Sequence, residues 1–231
     1  MKTSKIILVS LLSAIAVVIL AMVIDLRLNG RRESEIAADF KVKKHELKFF
    51  KVLYITNSIN VTLVKNDSTF LEVTSLKDSI APKVNFTLKE DTLRISDFGK
   101  TSHNNVSIRI HTGDSLRSIL LRMADLAVEH FNSGVLSAEL NQSALRFNQD
   151  EKIKSHIRLL KIVANNHSEV NTNPFYADTV EIALGRSEAN LETISQKLFG
   201  SISDSSRIQA RQPQEIWLKK DGTSKINISD Y

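Results

Sequence analysis

The sequence predicts an all-β fold in which one N-terminal transmembrane helix precedes an antiparallel meander and a solenoid of short stacked strands. Three observations carry this expectation. Ile6 to Ile24 is a run of nineteen residues without a charge. Apolar and polar residues alternate with period two from Val52 onward, and a phrase of the form Ser-x-apolar-x-apolar returns about every nineteen residues in the C-terminal half.

At about 1.5 Å per helical residue the charge-free run would span roughly 28 Å, close to the hydrocarbon thickness of a bilayer, about 30 Å. Residues 1–28 are therefore expected to form a transmembrane anchor or a signal segment, with Ile6 to Ile24 in contact with membrane lipid. The small-x-small pattern Ala14-Ile15-Ala16 lies inside the run rather than at its end, which favours an uncleaved anchor and a single-pass membrane protein. Residues 29–48 are mostly polar, with Ile36, Ala37 and Phe40 at helical spacing, and read as a juxtamembrane linker or helix.

The formal charge of +5 is unevenly placed. Residues 27–51 carry eight basic against four acidic side chains, whereas residues 52–231 carry twenty-one of each. A protein that neutralises phosphates needs a basic face, and the main domain has no net excess, so nucleic acid is not expected as a partner. With no cysteine there is no disulfide framework and no thiol chemistry.

From residue 49 a single β domain is expected to run to the C-terminus. "FFKVLYITNSINVTLVKND" alternates through Val52, Tyr54, Ile59, Val61 and Leu63, with a break at Asn57-Ser58 and a turn at Asn66-Asp67. "KVNFTLKEDTLRIS" holds two alternating runs about Lys89-Glu90-Asp91, and "VSIRIH" follows from Val106. Residues 50–111 thus read as an antiparallel meander.

The recurring phrase begins at Ala124, Ser143, Ser168, Ser187, Ser206 and Ser224, in steps of 19, 25, 19, 19 and 18 residues. Its apolar positions, Leu145, Phe147, Val170, Ala189, Leu191, Ile208, Ala210, Ile226 and Ile228, are the expected core. One such strand gains roughly 1.5 to 3 kcal/mol per buried aliphatic side chain, too little to stand alone. Coils stacked about 4.8 Å apart merge these strips into one interior. An unpaired buried hydroxyl costs about 1 to 3 kcal/mol, so Ser143, Ser168, Ser187, Ser206 and Ser224 are expected at the bends as a hydrogen-bonded ladder.

Catalytic chemistry finds little purchase. His45, His103, His111, His130, His156 and His167 show no metal-ligand spacing, and no phosphate-binding glycine motif occurs. The ladder serines have no consistently spaced His or acid partner. Asp125, Glu169, Glu188, Arg207 and Lys225 share one place in successive repeats, a row of mixed charge that reads as a solvated face. A carbohydrate-active β-helix enzyme would instead need two of these carboxylates to converge in a cleft. No catalytic, cofactor-binding or metal-binding residue is assigned.

The order of "FFKVLYITNSINVTLVKND", "VNFTLKEDTLRIS", "VSIRIH" and the serine repeats resembles the "putative auto-transporter adhesin, head GIN domain" family of bacterial exported proteins over residues 49–229. "EDTLRI", Glu90 to Ile95, is the most specific piece. The resemblance implies a right-handed parallel β-helix outside the cytoplasm, in the periplasm or at the cell surface. It also implies a non-enzymatic adhesive or surface-scaffold role toward an unknown protein or glycan ligand, with no cofactor. The competing readings are the carbohydrate-active enzyme and a membrane-tethered scaffold facing the cytoplasm. The chain departs from the family in its corners, where Arg186, Ser205 and Thr223 stand at places that relatives give to glycine.

Overall fold

The computed structural model describes residues 13, 15–23, 40–57, 61–76, 84–96, 106–148, 155–172, 176–192, 194–211 and 213–229. The chain divides into two units, Met1–Phe40 and Lys41–Tyr231. In the first, residues 15–23 are helical. The remainder of Ile6 to Ile24, Ser13 apart, lies outside the described residues. Among the described residues no helix is long and apolar enough to cross a membrane. This corrects the single-pass membrane protein expected from Ile6 to Ile24, and with it the lipid contact assigned to that run. Crossing requires helical length as well as apolar character, and composition reports only the second.

Strand β1 (Phe40–Glu46) is extended where a linker or helix was expected. The following strands are β2 (Val52–Thr56), β3 (Val61–Lys65), β4 (Phe70–Leu76), β5 (Asn85–Lys89), β6 (Thr92–Ser96) and β7 (Val106–Thr112). They do not form the expected meander. β2 lies parallel to β6 and to β8 (Ser118–Arg122), while β3 lies parallel to β7 and to β9 (Asp125–Glu129) in the other sheet. Among the pairings described, β5 with β6, across the turn at Glu90, and β4 with β7 are antiparallel. Alternation decides which face of a strand is buried, and that face is the same whether the neighbour runs parallel or antiparallel.

From β8 onward the chain changes sheet at every strand. β10 (Ser133–Asn141), β12 (His156–Asn165), β14 (Tyr176–Gly185), β16 (Ile194–Ser203) and β18 (Glu215–Lys220) extend a nine-stranded sheet, ordered β18-β16-β14-β12-β10-β8-β2-β6-β5. β11 (Ala144–Asn148), β13 (Glu169–Thr172), β15 (Glu188–Leu191), β17 (Arg207–Arg211) and β19 (Lys225–Ser229) extend a ten-stranded one, ordered β1-β4-β7-β3-β9-β11-β13-β15-β17-β19. Both sheets are mixed, and their pairs from β8 to β19 are parallel.

One apolar cluster contains the inward rows of both sheets. Leu145, Phe147, Val170, Ala189, Leu191, Ile208 and Ala210 are buried in it, and Ile226 and Ile228, on the outermost strand, are half-buried against it. The left-handed positions at the described corners between sheets are held without glycine. Met123, Gln142, Asn166, His167, Arg186, Asp204 and Ser205 all take left-handed backbone, with φ between 48° and 64°. Glycine is therefore dispensable at Arg186 and Ser205, because the stacked strands on either side hold a conformation that L residues disfavour by about 1 to 2 kcal/mol.

Candidate binding surface

The corner serines set the floor of the surface. Ser143, Ser168, Ser187, Ser206 and Ser224 are all buried. The hydroxyls of Ser143, Ser168, Ser187 and Ser206 accept the backbone N–H of Ala124, Ser143, Ser168 and Ser187, 19 or 25 residues earlier, at 3.1–3.2 Å. Each of these hydroxyls donates in turn to a carbonyl of its own corner, on Asn141, Asn165, Gly185 and Ser203. At the last corner the Asp221 carboxylate accepts the backbone N–H groups of Thr223, Ser224 and Asp204. The neighbouring Ser224 side chain, foremost, with the Asp204 and Ser224 N–H groups and the Thr223 hydroxyl, holds the Asp221 carboxyl far below the usual carboxylate range. The Ser224 hydroxyl itself is buried without a hydrogen-bond partner, so the ladder expected of five serines is made by four.

Two outward rows of the ten-stranded sheet rise beside that floor. The residues one after each ladder position are in register: Asp125, Ala144, Glu169, Glu188, Arg207 and Lys225. Arg207 Nη1 lies 3.4 Å from Glu188 Oε1, and Arg146 Nη1 lies 3.9 Å from Asp125 Oδ2. The second row is Arg146, Asn171, Asn190, Gln209 and Asn227, again in register. Four consecutive carboxamides thus stand one strand spacing apart, about 4.8 Å. Asn171 Nδ2 donates to Glu169 Oε1 at 2.5 Å and ties the two rows together.

Between the charged row and the corners runs an open groove of about 500 Å³, lined by His167, Glu169, Arg186, Glu188, Asp204 and Arg207 over Ser168 and Ser187. It carries both acids and bases, and their side chains are exposed to water. Such a groove can donate and accept hydrogen bonds along its length. It offers no dry pocket in which a carboxyl group would be tuned for acid-base work. No group of three or more His, Asp or Glu able to hold a metal ion occurs among the described residues.

The amide row was present in the repeated phrases as their fourth letter. No rule for a single strand distinguishes that letter from any other exposed polar position. Parallel pairing at exact register is what converts it into a continuous row.

No family model matches the chain, and no curated protein matches it. Solved structures do. A "putative adhesin" from Bacteroides fragilis matches with a TM-score of 0.58 at 12% identity, over 82% of this chain and 97% of that one. A "putative adhesin" from Parabacteroides distasonis matches at 0.52 and 13% identity, over 82% and 97%. A "putative lipid binding protein" from Parabacteroides distasonis matches at 0.50 and 13% identity, over 83% and 97%. At such identity the likeness concerns the fold, and this chain is similar in fold, over nearly the whole length of those chains, to proteins named as adhesins and as a lipid-binding protein.

Proposed function

We propose that residues 49–231 form a right-handed parallel β-helix that acts as a non-enzymatic binding or adhesion module, of the kind the head GIN resemblance implies. Its ligand is a glycan, taken on the outward face of the ten-stranded sheet. The observation that carries this reading is the amide row Asn171-Asn190-Gln209-Asn227, flanked by the charged row Glu169-Glu188-Arg207-Lys225. Carboxamides donate and accept at once, which suits the hydroxyls of a sugar chain. A flat polar face several strands long can contact several residues of an extended polymer, so weak contacts add. The names of the structural neighbours agree with a binding role. The carboxylates on this face are exposed and partnered by Arg207 and Asn171, which argues against the glycosidase alternative.

The test is retention of the protein on immobilised polysaccharides of differing charge and linkage, comparing the natural chain with the pair Asn190→Ala and Gln209→Ala. Binding that falls at least about tenfold in the double variant, with no new reducing ends released from the polysaccharide, is the expected result. Unchanged retention would remove the amide row from the reading. Release of reducing ends would reinstate the enzyme.

A further inference from the structure

Among the described residues, β18 ends the nine-stranded sheet and β19 the ten-stranded one, each with a row of backbone N–H and C=O groups facing away from its only neighbour. The interior opens there as well. Leu198 and Ile208 are 1% and 0% exposed, whereas Ile216, the partner of Leu198 in the next coil, is 39% exposed, and Ile226, the partner of Ile208, is half-buried. Beside Ile216 stands Trp217, the single tryptophan of the chain, 74% exposed. Stacked-coil proteins need a polar cap at such an end, and here Ile216 and Trp217 stand exposed in it.

We propose that this edge is a self-association surface whose occupant is a second copy of this chain, joined two-fold through β18 pairing antiparallel with β18. The strand is self-complementary. With the axis at Trp217, Glu215 of one copy faces Lys219 of the other, Ile216 faces Leu218, and the two Trp217 rings meet. β19 has the same property about Asn227: Ile226 faces Ile228, and the two Asn227 carboxamides meet. A two-fold axis perpendicular to the strands and lying across both sheets reverses the strands in each sheet at once, so a single operation pairs both edges. The interface is isologous and closes at two copies.

The charges discriminate between ways of stacking. A head-to-tail contact would set β19, with Lys225, on β1, which carries Lys41, Lys43 and Lys44. A contact of β1 with β1 would oppose the same lysines, and like charges across a strand pair are destabilising. Glu215 already lies 3.4 Å from Lys197 in its own chain, but both are half-exposed, and an exposed pair of this kind holds its partners weakly.

The experiment is sedimentation equilibrium of the full chain from low to high micromolar concentration, with Trp217 emission recorded on the same samples. The expected result is a monomer–dimer equilibrium in which emission moves to the blue as dimer forms. Glu215→Lys and Lys219→Glu should each weaken the dimer about tenfold, because each converts two symmetry-related attractive pairs into repulsive ones. The double variant Glu215→Lys/Lys219→Glu should restore it. A monomer at every concentration overturns the proposal, as do association that ignores the single reversals, growth beyond two copies, and a dimer that leaves Trp217 emission unmoved. Lys219→Glu keeps the Lys197–Glu215 contact, so its loss of dimer is separable from misfolding by an unchanged thermal melt.

Discussion

The hydroxyl of Ser206 accepts the backbone N–H of Ser187, nineteen residues earlier, at 3.1 Å, and the Ser187 hydroxyl does the same for Ser168. Every such N–H lies at a corner where the sheet ladder no longer reaches it. Ser187→Ala should leave the Ser168 N–H buried without a partner, at a cost of about 1 to 3 kcal/mol. Urea denaturation would read this as a lower midpoint at constant slope. A loss below about 0.5 kcal/mol, the scale of an ordinary surface change, would make the ladder incidental to stability.

Gly200 sits in β16 opposite Ile182 with φ at 147°, and a Cβ there would lie 1.7 Å from the Ile182 carbonyl oxygen. No side-chain movement relieves a clash with backbone. Gly200→Ala should cost about 3 kcal/mol or more by forcing β14 and β16 apart. Hydrogen exchange should then show faster exchange of the β16 amides before those of β8 or β10.

Met123 holds φ at 48° and is exposed. Its side chain contributes little burial, while its backbone conformation is disfavoured for any L residue. Met123→Gly should raise stability by about 0.5 to 1 kcal/mol, the relief of left-handed strain reduced by glycine's greater entropy in the unfolded chain. A lower melting temperature would show that the side chain does more than its exposure suggests.

His111 stacks on Phe70 with ring centroids 4.0 Å apart, and the Asn66 amide lies 3.3 Å from its Nδ1. Burial, foremost, pushes its pKa below 6.5; Glu72 opposes the shift, while Arg109 and Lys44 add to it. The unfolded chain therefore takes up this proton at a higher pH than the folded one. Stability should be unaffected by His111 above 6.5 and should fall as pH drops from there through the folded-state value. His111→Phe should flatten the slope of denaturation free energy against pH in that window, and an unchanged slope would assign it to other groups.

The all-β character, the repeat near nineteen residues and the inward set Val170, Ala189, Leu191 and Ile208 follow from the order of residues alone, because period-two alternation and a returning phrase are local properties. Residue order also places the polar breaks at Asn57 and Asn66, since these residues tolerate the turns they make. The direction and sheet of each early strand do not follow, because β2 and β3 present the same alternation whether they form a hairpin or lie in different sheets. The apolar run at Ile6 to Ile24 misleads for a related reason: composition counts side chains, and a membrane span is a length of helix. The amide row from Asn171 to Asn227 and the charged row from Glu169 to Lys225 exist only once parallel register aligns residues eighteen or nineteen apart. The open end at Ile216 and Trp217 likewise depends on which strands are left last. Local alternation was determined by the sequence; adjacency, and with it the surface available for binding, was decided by tertiary structure, because it arises from pairings between segments that carry no mark of one another.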